Sequence, residues 1–494
     1  METIKKNLYI LGIIHKASPN RLIFAVLRTI LSSVSSFLFD VFMLRYILNS
    51  VQAGISFIQI MRFVLFLAAL YVLSCVVRNY YIEIYSPKSD QRITSYIEEM
   101  VFRKAYEMDI SSYENPTFYD LYIKSMEQAA KSALQLIKTI EQTVSSIVLV
   151  LTVSFFIFQI EPMLYIFVLF PLLVKATIGN KHVNVKYKNQ NEMQEKMRKA
   201  NYVKRVVYMA DYAMELRLSS VFEIIQSQFK EAIAELRLCL DKYCWKDATY
   251  SLVFSISTDI VAFFGAIAFA SYKTIVAKTM MYGDCIVVIN AISTTVWSFR
   301  SLADTYNMYF DNALYIEKLQ KFLKYSPKIS MNENGLLVSK DNYNIHLRNV
   351  SYKYCGKDQY SIKNITMDIP QNKKIAIAGL NGAGKSTTIN LILGLYQPSE
   401  GEILFGGLPV SAYNLESYRE AFGVVFQDYK VFAMSVLDNI LLQENVNSED
   451  VTRAKKGLEL SGLYHIIDQM PQKMDSILTK EFDEKGIVLS GGNY

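Results

Sequence analysis

At 494 residues, 51% hydrophobic and 13% aromatic, the chain is longer than one small domain and more apolar than ordinary soluble proteins. Its net charge of +6 is modest, and no dense Lys/Arg cluster is interleaved with aromatics, which excludes a nucleic-acid-binding class. Cys75, Cys239, Cys244, Cys285 and Cys355 have no metal or disulfide spacing, and the four histidines are scattered, so neither a disulfide framework nor an evident metal centre is implied.

The first element is a short amphipathic helix, where Lys5, Lys6 and Lys16 flank the apolar residues 8–14 without a small-residue cleavage site. Six apolar segments follow, at about residues 22–48, 55–80, 144–159, 163–178, 251–272 and 285–299. A helix of about 20 apolar residues crosses the roughly 30 Å hydrocarbon core. Buried helices of a large soluble domain are the competing explanation. Residues 147–159 and 163–173 speak against it, being almost continuously apolar and divided only by Ile160, Glu161 and Pro162.

Polar stretches separate the second span from the third (residues 86–138) and the fourth from the fifth (residues 179–247). Both are rich in helix formers, which predicts helices extending well beyond a membrane. Lys181, Lys186, Lys188, Lys196, Arg198, Lys199, Lys204 and Arg205 crowd the second stretch, whereas residues 50–54 carry no charge. Positive charge marks the cytoplasmic side, so the long loops and, with six spans, both termini are expected there. Lys273 and Lys278, in the last short loop, dissent. Asp40, Arg62 and Asp259 fall inside the expected spans, where ionisable groups mark candidate substrate contacts. Asp40 is the foremost, because Ser32, Ser33, Ser35 and Ser36 precede it.

After residue 325 the composition changes. Residues 373–378, KKIAIA, predict a buried strand, and residues 387–395 predict a helix. Between them Gly379, Leu380, Asn381, Gly382, Ala383, Gly384, Lys385 and Ser386 fit G-x-x-x-x-G-K-[ST] without a mismatch, and Thr387 follows. The glycines let the backbone curl so that N–H groups and the helix N-terminus point at phosphates. Lys385 supplies a charge for the β- and γ-phosphates, and the Ser386 hydroxyl a ligand for Mg²⁺. A glycine turn that binds nothing is the alternative, and the strand–loop–helix order opposes it. The chain ends in Leu489, Ser490, Gly491, Gly492, Asn493 and Tyr494.

The phosphate loop, the LSGGNY ending and the six spans together resemble a half-transporter of the ATP-binding cassette (ABC) exporters, whose signature reads LSGGQ. The resemblance implies an all-α six-helix transmembrane domain over residues 1–325, a linker over 326–344, and a partial α/β P-loop cassette over 345–494. Residues 425–428 with Phe432 and residues 436–440 resemble the family's Q-loop, which implies that Gln427 reaches the metal and the attacking water. Residues 350–354 resemble the segment that carries the adenine-stacking aromatic. Tyr354 would be that residue and Tyr352 a core residue. Residues 109–122, where Asn115 and Pro116 restart a short helix, and residues 212–218, with Glu215 and Arg217, resemble the family's two coupling helices.

By the same resemblance, ATP and Mg²⁺ are the cofactors. Ser490, Gly491 and Gly492 would close over nucleotide held by a second half-transporter, identical or related, in the plasma membrane. After Tyr494 the family continues into a strand with the metal-anchoring aspartate and the catalytic glutamate. The chain as written is therefore expected to bind ATP weakly and to lack useful hydrolysis, although an intact relative is an ATP hydrolase coupled to transport. A non-hydrolysing membrane protein acting as partner or regulator is the alternative. The exported substrate is not legible from these residues.

Overall fold

The structure is a computed structural model that describes residues 2–327, 334–339, 342–427, 429–482 and 484–488. Residues 489–494, with Ser490, Gly491 and Gly492, lie outside the described residues, as do Asp428 and the side chain of Asp259. The chain divides into two units, Met1–Ser330 with Lys353–Gln359, and Met331–Tyr352 with Tyr360–Tyr494.

The first unit is built of helices, with Lys353–Gln359 outside any of them. Its helices are α1 (Glu2–Ala17), α2 (Arg21–Phe37), α3 (Met43–Gln52), α4 (Phe57–Tyr80), α5 (Ser86–Tyr106), α6 (Ile110–Tyr113), α7 (Pro116–Ile160), α8 (Tyr165–Tyr208), α9 (Ala213–Leu218), α10 (Val221–Ser255), α11 (Gly265–Ile275) and α12 (Tyr282–Leu323). π-helical turns at Leu38–Phe42, Tyr81–Tyr85 and Ile256–Phe264 join α2 to α3, α4 to α5 and α10 to α11 without a break. Among the described residues five helices or helix runs, Arg21–Gln52, Phe57–Tyr106, Pro116–Ile160, Val221–Ile275 and Tyr282–Leu323, are long and apolar enough to cross a membrane. The expected fourth span begins in the short turn Pro162–Leu164 and continues into α8, a helix of 44 residues.

The long polar stretches are helices, as their composition predicts, but one detail differs. The short helix is α6, capped by the Asp109 carboxylate, which accepts from the Ser112 amide at 3.1 Å. Asn115 and Pro116 do not open another short helix; they open the 45-residue α7, with the Asn115 side chain accepting from the Thr117 amide at 3.0 Å. An Asn cap with Pro in the first turn is as compatible with a long helix as with a short one. Its length is set by burial, and the fully buried Phe118 packs its ring 4.8 Å from Tyr325 and 5.8 Å from Phe322 beyond and at the end of α12.

At the long-loop end of the spans, a buried ionic group joins four segments. Arg21, at the start of α2, donates to Asp90 at 3.0 Å, to Ser86 at 2.7 Å and to the Tyr81 hydroxyl. Arg28 donates to Glu141 of α7 at 2.7 Å, and the Tyr81 hydroxyl donates to the same carboxylate. At the short-loop end, Arg45 of α3 donates to Asp284 of α12 at 2.6 Å, and Lys273 pairs with Glu161 at 3.2 Å. Helices α8 and α10 pair along their length, tied by Glu192 to Lys242 and Tyr243 and by Glu235 to Lys196 and Lys199.

The second unit contains a four-stranded antiparallel sheet in the order β2–β1–β3–β4, made of β1 (Ile345–Tyr352), β2 (Ile362–Ile369), β3 (Glu400–Phe405) and β4 (Leu408–Pro409). Around it lie α13 (Lys385–Ile392), α14 (Leu415–Glu420), α15 (Val436–Leu441), α16 (Ser448–Leu460) and α17 (Tyr464–Asp468). Phe405, Tyr418, Tyr413 and Leu415 form an aromatic-rich core, with the Phe405 ring 5.2 Å from Tyr418. A separate apolar cluster of Val436, Leu458, Ile467, Met470 and Leu478 holds the helical end together.

The strand expected at residues 373–378 is not present. Residues 373–380 lie outside any strand, with Ile375 and Ile377 at 44% and 37% exposure. Among the described residues no neighbouring segment forms a ladder with this run, and a lone extended segment gains nothing from its apolar side chains. Residues 422–426 share this state, and Val425 is 95% exposed.

Candidate functional site

The phosphate-loop pattern folds as a loop ending on a helix. Gly384 caps α13 with φ +85°, a left-handed conformation that favours glycine, and its missing side chain lets Ile362 of β2 approach. A Cβ at this position would lie 2.3 Å from the Ile362 Cγ2. Behind it the Thr387 hydroxyl lies 3.4 Å from that of Ser361. Thr387 and Thr388 are buried, whereas Ser386 is exposed and makes no hydrogen bond among the described residues.

Helix α13 is held from below by Tyr418, whose hydroxyl donates to the Ile392 carbonyl at 2.5 Å, and by Arg419, which donates to the Gly394 carbonyl at 2.8 Å. Burial pushes the Tyr418 phenol well above its ordinary range, so it stays a neutral donor.

The Lys385 ammonium turns back over the loop, donating to the carbonyls of Gly379 at 2.8 Å and Leu380 at 2.9 Å. The loop therefore closes around its own lysine. Among the described residues no side chain caps the N-terminus of α13. An ammonium held by two neutral carbonyls, beside uncapped helix N–H groups and the exposed Ser386 hydroxyl, is a donor set suited to phosphate oxygens. The hydroxyl also suits a hard divalent cation. Asn381, Gly382 and Ala383 form the exposed crown, with Gly382 at φ +83°.

The remaining expected residues are placed as follows. Gln427 is exposed, and among the described residues no hydrogen bond joins it to the phosphate loop. The helix after it is well fixed: Asn439 donates to the carbonyls of Phe432, Met434 and Ser435, and Ser435 caps α15. Tyr352 is a core residue as expected, stacked 5.1 Å from Tyr396. Tyr354 follows the end of β1, and the Lys357 ammonium stands over its ring at 5.8 Å.

Sequence reasoning missed Ile362, Tyr418, Arg419, Asn439 and Lys357. Only Asn439 carried a signal, since it lies inside the run 436–440; the others act through tertiary contacts that no local pattern announces. In the helical unit Asp40 is exposed on the π-helical turn, Arg62 is exposed near the start of α4, and neither has an ion pair among the described residues. The segment 212–218 corresponds to α9, where Arg217 donates to the Ala213 carbonyl and both Glu215 and Arg217 face solvent.

Residues 362–493, which include this loop, match the ABC transporter family. This segment is an ABC transporter domain. The chain is similar over 416 residues to the subtilin transport ATP-binding protein SpaT of Bacillus subtilis, with 23% identity, covering 83% of this chain and 66% of that protein. Similarity to the nisin transport ATP-binding protein NisT of Lactococcus lactis subsp. lactis runs over 419 residues, with 24% identity, 83% of this chain and 68% of that protein. The chain thus spans about two thirds of the length of these relatives. In fold it resembles a bacterial Atm1-family ABC exporter solved with ATP bound, with a TM-score of 0.69 at 16% identity, covering 96% of this chain and 82% of that one. An ABC transporter domain implies nucleotide binding, and the helical unit followed by the sheet-containing cassette region is the exporter fold.

Proposed function

We propose that the chain is a half-transporter that couples ATP binding and hydrolysis, in a complete two-subunit assembly, to export across the plasma membrane. The observation that carries this reading is the phosphate loop closed on Lys385 and capped by Gly384, in the same chain as five helix runs able to cross a membrane.

In this reading Lys385 leaves its two carbonyls to take the β- and γ-phosphates, and Gly379, Leu380, Asn381, Gly382, Ala383 and Gly384 turn their backbone toward them. Ser386 and Gln427 hold Mg²⁺, with Thr387 positioned behind the loop, and Tyr354 stacks on adenine after Lys357 has moved from its face. ATP supplies the free energy of the cycle. Ser490, Gly491 and Gly492 cover the nucleotide of the second subunit, identical or related. The segments 109–122 and 212–218 pass cassette movement to the spans, the domains divide at residues 325 and 345, and both termini are cytoplasmic. Asp40 is the first residue to test for substrate contact.

Photolabelling of membranes with an azido-ATP analogue tests the central claim. Wild-type protein should label in a Mg²⁺-dependent way that unlabelled ATP competes, and Lys385→Ala should lose about tenfold or more of that labelling while staying in the membrane. Equal labelling of wild type and variant would overturn the assignment.

A further inference from the structure

We propose that the exposed face of the helix running from α4 into α5 holds the head group of an anionic phospholipid, with Lys88 and Arg92 as its phosphate-binding cations. The inference rests on the membrane-spanning part of the proposed function and needs none of the transport reading.

The argument starts from one continuous helix, Phe57–Tyr106. Its exposed positions include Leu65, Leu73, Val76, Tyr80 and Ile84, a lipid-facing surface bounded by the exposed charges of Arg62 and Glu83. These two charges are 21 residues apart, about 32 Å at 1.5 Å per residue, which matches the hydrocarbon thickness. The same helical face then changes character. Lys88, Gln91, Arg92, Ser95, Tyr96 and Glu99 follow at helical spacing and form an open polar stripe on α5.

Lys88 lies about 8 Å beyond Glu83 along the axis, at head-group depth, and Arg92 about 6 Å further. Side chains on a helix lean toward its N-terminus, and here the N-terminal direction is the membrane, so both cations reach back toward the phosphates. Among the described residues neither Lys88 nor Arg92 has an ion pair. The carboxylates around them are otherwise engaged: Asp90 is held by Arg21 at 2.9 Å and Glu99 by Arg103 at 3.2 Å. Only Glu83, at the hydrocarbon edge, faces the same surface unpaired among the described residues.

A second feature fixes the depth independently. The Ser18 and Ser89 hydroxyls lie 2.8 Å apart and pin the chain just beyond α1 beside Lys88. Helix α1 buries Ile10, Ile13 and Ile14 in the helical unit yet exposes Ile4 and Leu8, with Lys5 and Lys16 exposed as well. A short helix apolar on an outer face and basic at its flank lies in the membrane surface. Ser18 and Ser89 therefore stand at that surface, and the basic stripe of Lys88 and Arg92 begins there.

The test is native mass spectrometry of the detergent-purified protein offered phosphatidylglycerol and phosphatidylcholine in equal amounts. Wild type should retain phosphatidylglycerol preferentially and rise in Tm on its addition. Lys88→Gln and Arg92→Gln should each reduce that preference about fivefold, and the double variant should abolish the Tm rise. Both positions are exposed, so the variants should fold, and their unchanged Tm without lipid checks this.

Equal lipid retention in wild type and double variant overturns the proposal. So does competition by millimolar inorganic phosphate, which would mark a free-anion site, or loss of subunit association in the variants, which would mark a partner's surface. Release of the protein from membranes by alkaline carbonate would instead defeat the membrane reading itself.

Discussion

At the scale of single residues, the phosphate loop depends on a glycine that two separate constraints require. Gly384 combines a left-handed φ with a contact to Ile362 that leaves no room for a Cβ. Gly384→Ala should destabilise the cassette by about 1–3 kcal/mol, seen as a lowered Tm, and weaken nucleotide photolabelling in parallel. Adding Ile362→Ala should recover only the steric part; full recovery would show that the backbone strain is negligible. The support of α13 is equally local. Tyr418→Phe removes the donor to the buried Ile392 carbonyl and should cost about 1–3 kcal/mol, measurable by denaturation, with no direct loss of a phosphate contact. The loop itself was legible because its chemistry is contiguous: eight consecutive residues supply turn, cation and hydroxyl. Ile362 and Tyr418 were not, since each reaches the loop from over twenty residues away.

At the scale of elements, helices were easier to foresee than strands. Residues 86–138 and 179–247 read as helices because each turn hydrogen-bonds within itself, and α5, α7, α8 and α10 bear this out. Residues 373–378 have the composition of a strand, but strand formation depends on a neighbour that local sequence does not supply. The way α1 is attached yields a pH prediction. Glu317 of α12 pairs with Lys321 at 2.7 Å and with Lys6 of α1 at 2.6 Å, and hydrogen bonds from these two amines hold its carboxyl down to about 2. A depressed carboxylate stabilises the folded form above its ordinary value of 4.5, and that contribution is lost as pH falls toward 2. Lys6 is shifted upward by the same pair, so its contribution is complete below 10.5 and lost as pH rises through the raised value. A fluorophore on Lys5→Cys should therefore report loosening of α1 between pH 4.5 and 2, and Glu317→Gln should flatten that limb. An unchanged acid limb in the variant would show that α1 is held by its buried isoleucines alone.

At the scale of the whole molecule, the spans were legible because lipid is an indifferent solvent that demands long apolar runs with internally satisfied backbones. What sequence could not weigh was the polar contact made at their ends, such as Arg45 with Asp284 or Arg21 with Asp90, since each joins residues far apart in the chain. The order of short and long loops makes the number of crossings a decidable question, and α8 is the helix on which it turns. If α8 crosses, the segments around Tyr106 and Tyr208, both strongly exposed, lie on one side, and Ala53 lies on the other. If it does not, Tyr208 joins the side of Ala53. Single cysteines at these three positions, in a background with all five native cysteines replaced, can be probed in intact cells with a membrane-impermeant maleimide. Ala53→Cys should label from outside, whereas Tyr106→Cys and Tyr208→Cys should label only after permeabilisation. Labelling of Tyr208→Cys in intact cells would remove the fourth crossing. Labelling of Tyr106→Cys instead of Ala53→Cys would invert the protein, and the basic residues from Lys181 to Arg205 would then stand on the side that the positive-inside bias disfavours.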